Sequence, residues 1–303
     1  MRIASTQYHA TMNTALQNAS QRLEFVMQQM ASGQRLQRPS DDPVTHVRLS
    51  RLTREEAALD QYLNNIGALR SRMQQSEAIM DGMVEDLLQV RDLIVWASDG
   101  GSTSEDVAAI AGSMAALRDS LFYNANSKDQ EGRHLFSGTM TATAAIGYDN
   151  TQPVGSRYSF QGNLAEQKVV VGNEVTETAN VTMQEMADLL NRMDAAVGAL
   201  QTPGASSNDP AVRALVVGAL NGTDDVINAV NTKIATLGGA QVRLSTLETN
   251  HANVSLSNQQ AMITLGQLDY GDAAVKLNGY TTAVQATQKA YAKVSQLSLF
   301  DAL

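Results

Sequence analysis

Four histidines, the proline-flanked carboxylates Asp41-Asp42 and no cysteine are the raw material for chemistry in this 303-residue chain. His9, His46, His134 and His251 stand far apart, and none sits in a His-Glu-x-x-His run, the spacing that puts two imidazoles and a general base on one helix face. Asp41-Asp42 could in principle hold a metal or share acid-base work. Flanked by Pro39 and Pro43 just before a helical pattern, the two residues fit helix caps better. The lack of cysteine removes disulfides, thiolate nucleophiles and sulfur-ligated metals. No Gly-x-x-x-x-Gly-Lys loop or Gly-x-Gly-x-x-Gly turn is present to cradle phosphates. The expectation is no catalytic residue, no cofactor and no metal.

What remains is patterning. Hydrophobic residues make up 43% of the chain but aromatics only 5%, so the apolar surface comes from Leu, Val, Ile, Ala and Met, a helix-favouring set. Five prolines leave room for long helices. The net charge of -9 disfavours nucleic acid as a partner. The N-terminus from Met1 to Gln7 has no apolar core of a cleaved signal, and the run Ala214 to Leu220 is far short of the roughly 20 residues that span a bilayer, so membrane insertion is not expected.

One period dominates. Stepping by seven from Leu52 gives Leu59, Ile66, Met73, Met80, Leu87 and Ile94, and the interleaved column reads Tyr62, Leu69, Ser76, Met83, Val90 and Ala97. This is a narrow a/d seam. A helix over 44–97 would be about 80 Å long, whereas a globule of this size has a radius of gyration of about 19 Å. The fold class expected is therefore mainly α, an elongated rod.

Further helices follow. Val107, Ile110, Met114, Leu117 and Leu121 predict one that starts at Thr103 or Ser104 and folds back antiparallel on the first. Residues 183–200 read as helix, and Asp209-Pro210 starts another with Asp as N-cap. That last seam runs Val216, Leu220, Thr223, Ile227, Val230, Ile234 and Leu237. It slips by one residue after Gly238-Gly239, which should bend or overwind the bundle, and resumes with Leu244, Leu247, His251, Val254, Asn258, Ala261, Leu265 and Leu268. Residues 137–180, rich in Gly, Thr, Ser and Asn with β-prone pieces at 157–161 and 167–171, read as a small inserted β domain. The division expected is 1–40 with 270–303, 41–136 with 181–269, and 137–180.

Both ends carry an amphipathic stripe. Met12, Leu16, Ala19, Leu23, Val26 and Met30 alternate spacings of four and three; Tyr270, Ala273, Leu277, Tyr280, Val284, Thr287, Tyr291 and Val294 do likewise, with Thr287 the polar lapse. Neither helix can bury its stripe alone. An ordinary intramolecular bundle would satisfy them, as would pairing with each other and with neighbouring molecules.

The stretch Met30-Ala31-Ser32-Gly33-Gln34-Arg35-Leu36-Gln37-Arg38-Pro39-Ser40-Asp41-Asp42-Pro43 resembles the N-terminal motif of the flagellin superfamily: a terminal helix ending in Ser-Gly, a basic stretch, then an Asp-Asp pair leading into a long helix. Gly33 can end the first helix, Pro39 and Pro43 stiffen the connector, and Ser40, Asp41 and Asp42 can cap the next helix at its positive end. Gln288 to Tyr291 and the ending Ser298-Leu299-Phe300-Asp301, with Leu297 and Leu303, are similar to the superfamily's C-terminal helix and apolar tail. Arg38 to Pro43 and Ser298 to Asp301 look more like its hook-associated branch at the hook-filament junction than like filament flagellin.

The resemblance implies a structural protein that is not an enzyme. It implies export through the flagellar type III channel without cleavage, to the extracellular flagellum, and assembly of the terminal helices with copies of itself, with a neighbouring hook-associated protein and with flagellin. It also implies a cytosolic export chaperone on the C-terminal region. Two other readings stay open on the sequence, a filament flagellin and a cytosolic helical binding module.

Overall fold

The computed structural model describes residues 2–99, 103–206 and 208–300, with side chains over 7–99, 103–206 and 208–293. Six helices and four short strands form among them: α1 (Arg2–Ser32), α2 (Pro43–Ala97), α3 (Ser104–Ala125), β1 (Ile146–Tyr148), β2 (Tyr158–Phe160), β3 (Lys168–Gly172), β4 (Val175–Thr178), α4 (Glu185–Leu200), α5 (Pro210–Gly266) and α6 (Tyr270–Phe300). The fold is mainly α, as the periodicity requires. The chain divides into two compact units, Met1–Ala58 with Ala252–Leu303, and Leu59–His251.

In the second unit, the seven-residue column of α2 is buried from Leu59 through Ile94, and so is the interleaved column from Leu69 through Ala97, Ser76 included. Tyr62 is half-buried. α3 begins with a capping box, Thr103 Oγ1 accepting from the Asp106 amide and the Asp106 carboxylate accepting from the Thr103 amide at 3.0 Å. Its Ser120 and Asn124 donate to Asp86 of α2, which fixes the antiparallel return.

α5 runs unbroken through Gly238-Gly239. The slip is absorbed by Ala240, which is buried and links Leu237 to Leu244. Beyond His251 one position departs from the expected seam: Val254 is exposed and Ser255 takes the inward position, donating to Glu56, while Asn258 and Leu268 are buried and Ala261 and Leu265 half-buried as expected.

The inserted segment is two antiparallel hairpins rather than one sheet: Ile146 faces Phe160 in the first, and Lys168 faces Thr178 in the second. Neither hairpin stands alone. Asn191 of α4 donates to the Tyr158 carbonyl and accepts from its amide, at 2.8 and 2.9 Å, taking the place of a third strand. The buried carboxylate of Asp194 accepts from Arg118 at 2.8 Å and from the Gly155 amide at 3.0 Å, pinning the β1-β2 turn. Burial beneath these groups pushes the Tyr158 hydroxyl up to about 12. His251 Nε2 lies 2.8 Å from the Val171 carbonyl, so this seam histidine ties α5 to β3.

The first unit is packed far more thinly. Among the described residues its buried apolar cluster is Val26, Leu268 and Ala273, with Met30, Leu277 and Tyr280 packed around them. Helices without a deep core open locally at low free energy. In hydrogen exchange on the dilute chain, amides of 8–30 and 273–293 should therefore exchange on the order of a hundredfold faster than those of 66–94. Uniform protection across both groups would contradict this.

Candidate functional site

The connector that the sequence singles out lies in the first unit. α1 stops because Gly33 turns left-handed, with φ at 71°, while its amide still donates to the Gln29 carbonyl at 2.8 Å. The chain then passes beside a second break, where α5 ends at Gly266 and α6 has not begun. The two breaks zip together: the Arg35 amide donates to the Gly266 carbonyl at 2.8 Å, the Leu268 amide to the Gly33 carbonyl at 3.0 Å, and Gln34 and Gln267 form an antiparallel bridge. The backbone groups that two helix ends leave unpaired thus satisfy one another.

Side chains lock this clasp. The Arg35 guanidinium donates to the Leu265 carbonyl at 3.2 and 3.3 Å, placing a cation at the negative end of α5, and reaches Asp42 at 3.4 Å. Gln29 donates back to the Arg35 carbonyl. The two carboxylates divide the connector between them. Asp41 accepts from the amides of Gln37 and Arg38 at 3.0 and 2.8 Å, folding the turn that holds Arg38 and Pro39. Asp42 accepts from the Thr45 amide at 3.1 Å and its hydroxyl at 2.6 Å, capping α2 just before Pro43. Ser40 is exposed. On the other strand of the clasp Asp269 caps α6, accepting from the Gly271 and Asp272 amides at 2.8 and 3.1 Å. α5 and α6 are thus separated by Gln267 to Asp269, and Gly271 lies in the first turn of α6.

The stripes meet below this clasp. Val26 is buried against Leu268 and Ala273, and Met30, Leu277 and Tyr280 complete the cluster. Farther along, Met12, Leu16, Ala19 and Leu23 of α1 and Val284, Thr287 and Tyr291 of α6 are half-buried. The rings of His9 and Tyr291 meet edge to face at 5.4 Å. Tyr270 departs from the expected stripe. It is exposed, because it stands at the first turn of α6, where its hydroxyl donates to the Met30 carbonyl at 3.4 Å. The side chains of Val294, Leu297, Leu299 and Phe300, and all of Leu303, lie outside the described residues.

Sequence reasoning missed Arg35, Gln267 and Asp269 as partners in the clasp. Asp269 followed by Gly271 and Asp272 was a readable capping signal; the bridge is backbone pairing and left none. The described residues contain no group of three or more His, Cys, Asp or Glu side chains suited to a metal, and no helix among them is long and apolar enough to cross a membrane.

Comparison with known proteins points the same way as this geometry. A family model for the bacterial flagellin N-terminal helical region matches residues 3–141. Flagellar hook-associated protein 3 of Escherichia coli K12 is 28% identical over 286 residues, spanning 90% of this chain and 90% of that protein. The solved structure of a flagellar hook-associated protein from Vibrio parahaemolyticus, 30% identical, superposes with a TM-score of 0.67 and covers 74% of this chain and 99% of that one. Flagellin C of Vibrio anguillarum is 27% identical over 166 residues, 54% of this chain but 43% of the flagellin.

Two outcomes follow from the clasp. Gly33→Ala should destabilise the first unit by about 1 kcal/mol, since alanine is strained at a positive φ and its Cβ would stand 3.1 Å from the Tyr270 hydroxyl. Gly67→Ala, mid-helix with open space around it, should be neutral or stabilising by about 0.5–1 kcal/mol in thermal unfolding. The Thr45 hydroxyl, above all, and the Thr45 amide hold Asp42 below the usual carboxylate range. The cap's contribution is therefore complete above the unfolded carboxylate range and is lost as pH falls through the lower folded value. The Thr45 amide resonance should follow that titration, and Asp42→Asn should abolish it.

Proposed function

This chain belongs to the flagellar hook-associated family within the flagellin superfamily, and on that premise we propose that it forms the layer joining hook-associated proteins to the flagellin filament. It is a structural component of the bacterial flagellum. The hook-associated relative is matched nearly end to end and the flagellin over less than half its length, which favours the junction over the filament. The Arg38 to Pro43 connector favours it as well.

The observation that carries the reading is the incomplete burial of the terminal stripes. Met12, Leu16, Ala19 and Leu23 keep the spacing of a full coiled-coil seam, yet α6 leaves each of them half-buried. Seams of this kind reach full burial when further helices from neighbouring molecules close around them. The terminal pair, 1–40 with 270–303, is accordingly the assembling part, in contact with copies of the chain, with the neighbouring hook-associated protein and with flagellin. The unit Leu59–His251, with its hairpins and deep core, buries its own seams without a neighbour. Export through the flagellar type III channel without cleavage, and protection of the amphipathic C-terminal region by a cytosolic chaperone before export, complete the proposal. Their support is the family resemblance at the two ends of the chain.

Leu23→Asp or Val284→Asp should block assembly while leaving the second unit folded, because a carboxylate cannot be desolvated cheaply in a closed seam. Loss of filament attachment in cells expressing the variant, with unchanged helical content and unfolding temperature of the purified chain, is the expected result. Normal attachment would exclude the stripe as the assembling surface.

A further inference from the structure

The clasp also shapes a groove in the first unit, an open depression of about 870 Å³. Half-buried Leu36, Leu49 and Met262 make its apolar floor, exposed Arg38, His46 and Arg54 stand at its edge, and no carboxylate lines it. Among the described residues Arg38, His46 and Arg54 form no ion pair, although the chain carries nine more negative than positive charges. Arg54 only donates to the Ser50 carbonyl of its own helix, at 3.3 Å. A surface that joins apolar floor and unneutralised cations suits an acidic amphipathic helix.

The same chain displays such a helix face. On the far part of α2, opposite its buried seam, Asp81, Glu85, Leu88, Asp92 and Val95 follow one another at spacings of four and three, and all are exposed. Asp81, Glu85 and Asp92 form no ion pair among the described residues, while Leu88 and Val95 are each 48% exposed. Groove residues 46–54 and stripe residues 81–95 both belong to α2, so every copy of the chain carries both surfaces. We propose that the groove bounded by Arg38, His46 and Arg54 receives the Asp81 to Val95 face of α2 from a second copy of this chain. Leu88 and Val95 would enter the apolar floor, and Arg38 and Arg54 would neutralise Glu85 and Asp92. The contact is head-to-tail, because the two surfaces differ. It is also separate from the terminal stripes, and stands or falls independently of them.

Charge reversal by mixing tests it on the full-length chain. Wild-type protein should self-associate in sedimentation at low salt, and less so at high salt, where exposed charges are screened. The chain's single tryptophan, Trp96, lies beside Val95 and should shift its emission with association. R38E/R54E and E85R/D92R should each weaken association by roughly tenfold with helical content unchanged. An equimolar mixture of the two should regain it, since each groove then meets a stripe of opposite charge. Leu23→Asp should leave this association intact, which separates it from the terminal seam. A wild-type chain that stays monomeric at low salt, reversed variants that associate like wild type, or a mixture that is not restored would each overturn the proposal.

Discussion

Two interruptions in an otherwise helical chain, one at Gly33 and one at Gln267, are held against each other by backbone hydrogen bonds, and the first unit is organised around that contact. Arg35 and Gly266, Gly33 and Leu268 exchange the donors and acceptors that ending helices leave open. Because both breaks are pinned at one place, α1 and α6 leave side by side and their stripes come into register. Arg35 then links the clasp to the last carbonyls of α5 and to the cap of α2. A motif that reads in the sequence as a basic stretch followed by two acids is, physically, a set of caps for three helix ends.

Thin packing below the clasp and deep packing in the second unit have one cause, the side chains that each seam supplies. Met73, Met80, Met83 and Leu87 fill the second unit, with Met114, Met183 and Met193 from other helices joining the same core. Unbranched, polarizable methionines fill the irregular space between the helices and the hairpins. The terminal stripes offer alanine, threonine and half-buried leucine instead. A molecule whose body is self-sufficient and whose ends are not is suited to work in an assembly.

The α2 seam was legible residue by residue, because a seven-residue column can only be buried on one helix face. So were the Thr103, Asp42 and Asp209 caps, and the two hairpin strands with alternating or β-branched residues. β1 and β4 were missed because Gly147 interrupts the first and Glu177 the β-branched run of the second. Val254 was misplaced because apolar character suggested a seam position, whereas Ser255 stands inward there and donates to Glu56. Asp194 with Arg118, and the Gln34-Gln267 bridge, join residues far apart in sequence. No local pattern announces such pairs.

The account rests on assembly at the boundary between hook and filament rather than within the filament. Removing the chain from a flagellated cell addresses that directly, by electron microscopy of the hooks and measurement of filament protein in the medium. Complete hooks without filaments, with filament protein shed outside the cell, are what the account requires. Cells that keep filaments of normal length on their hooks would contradict it.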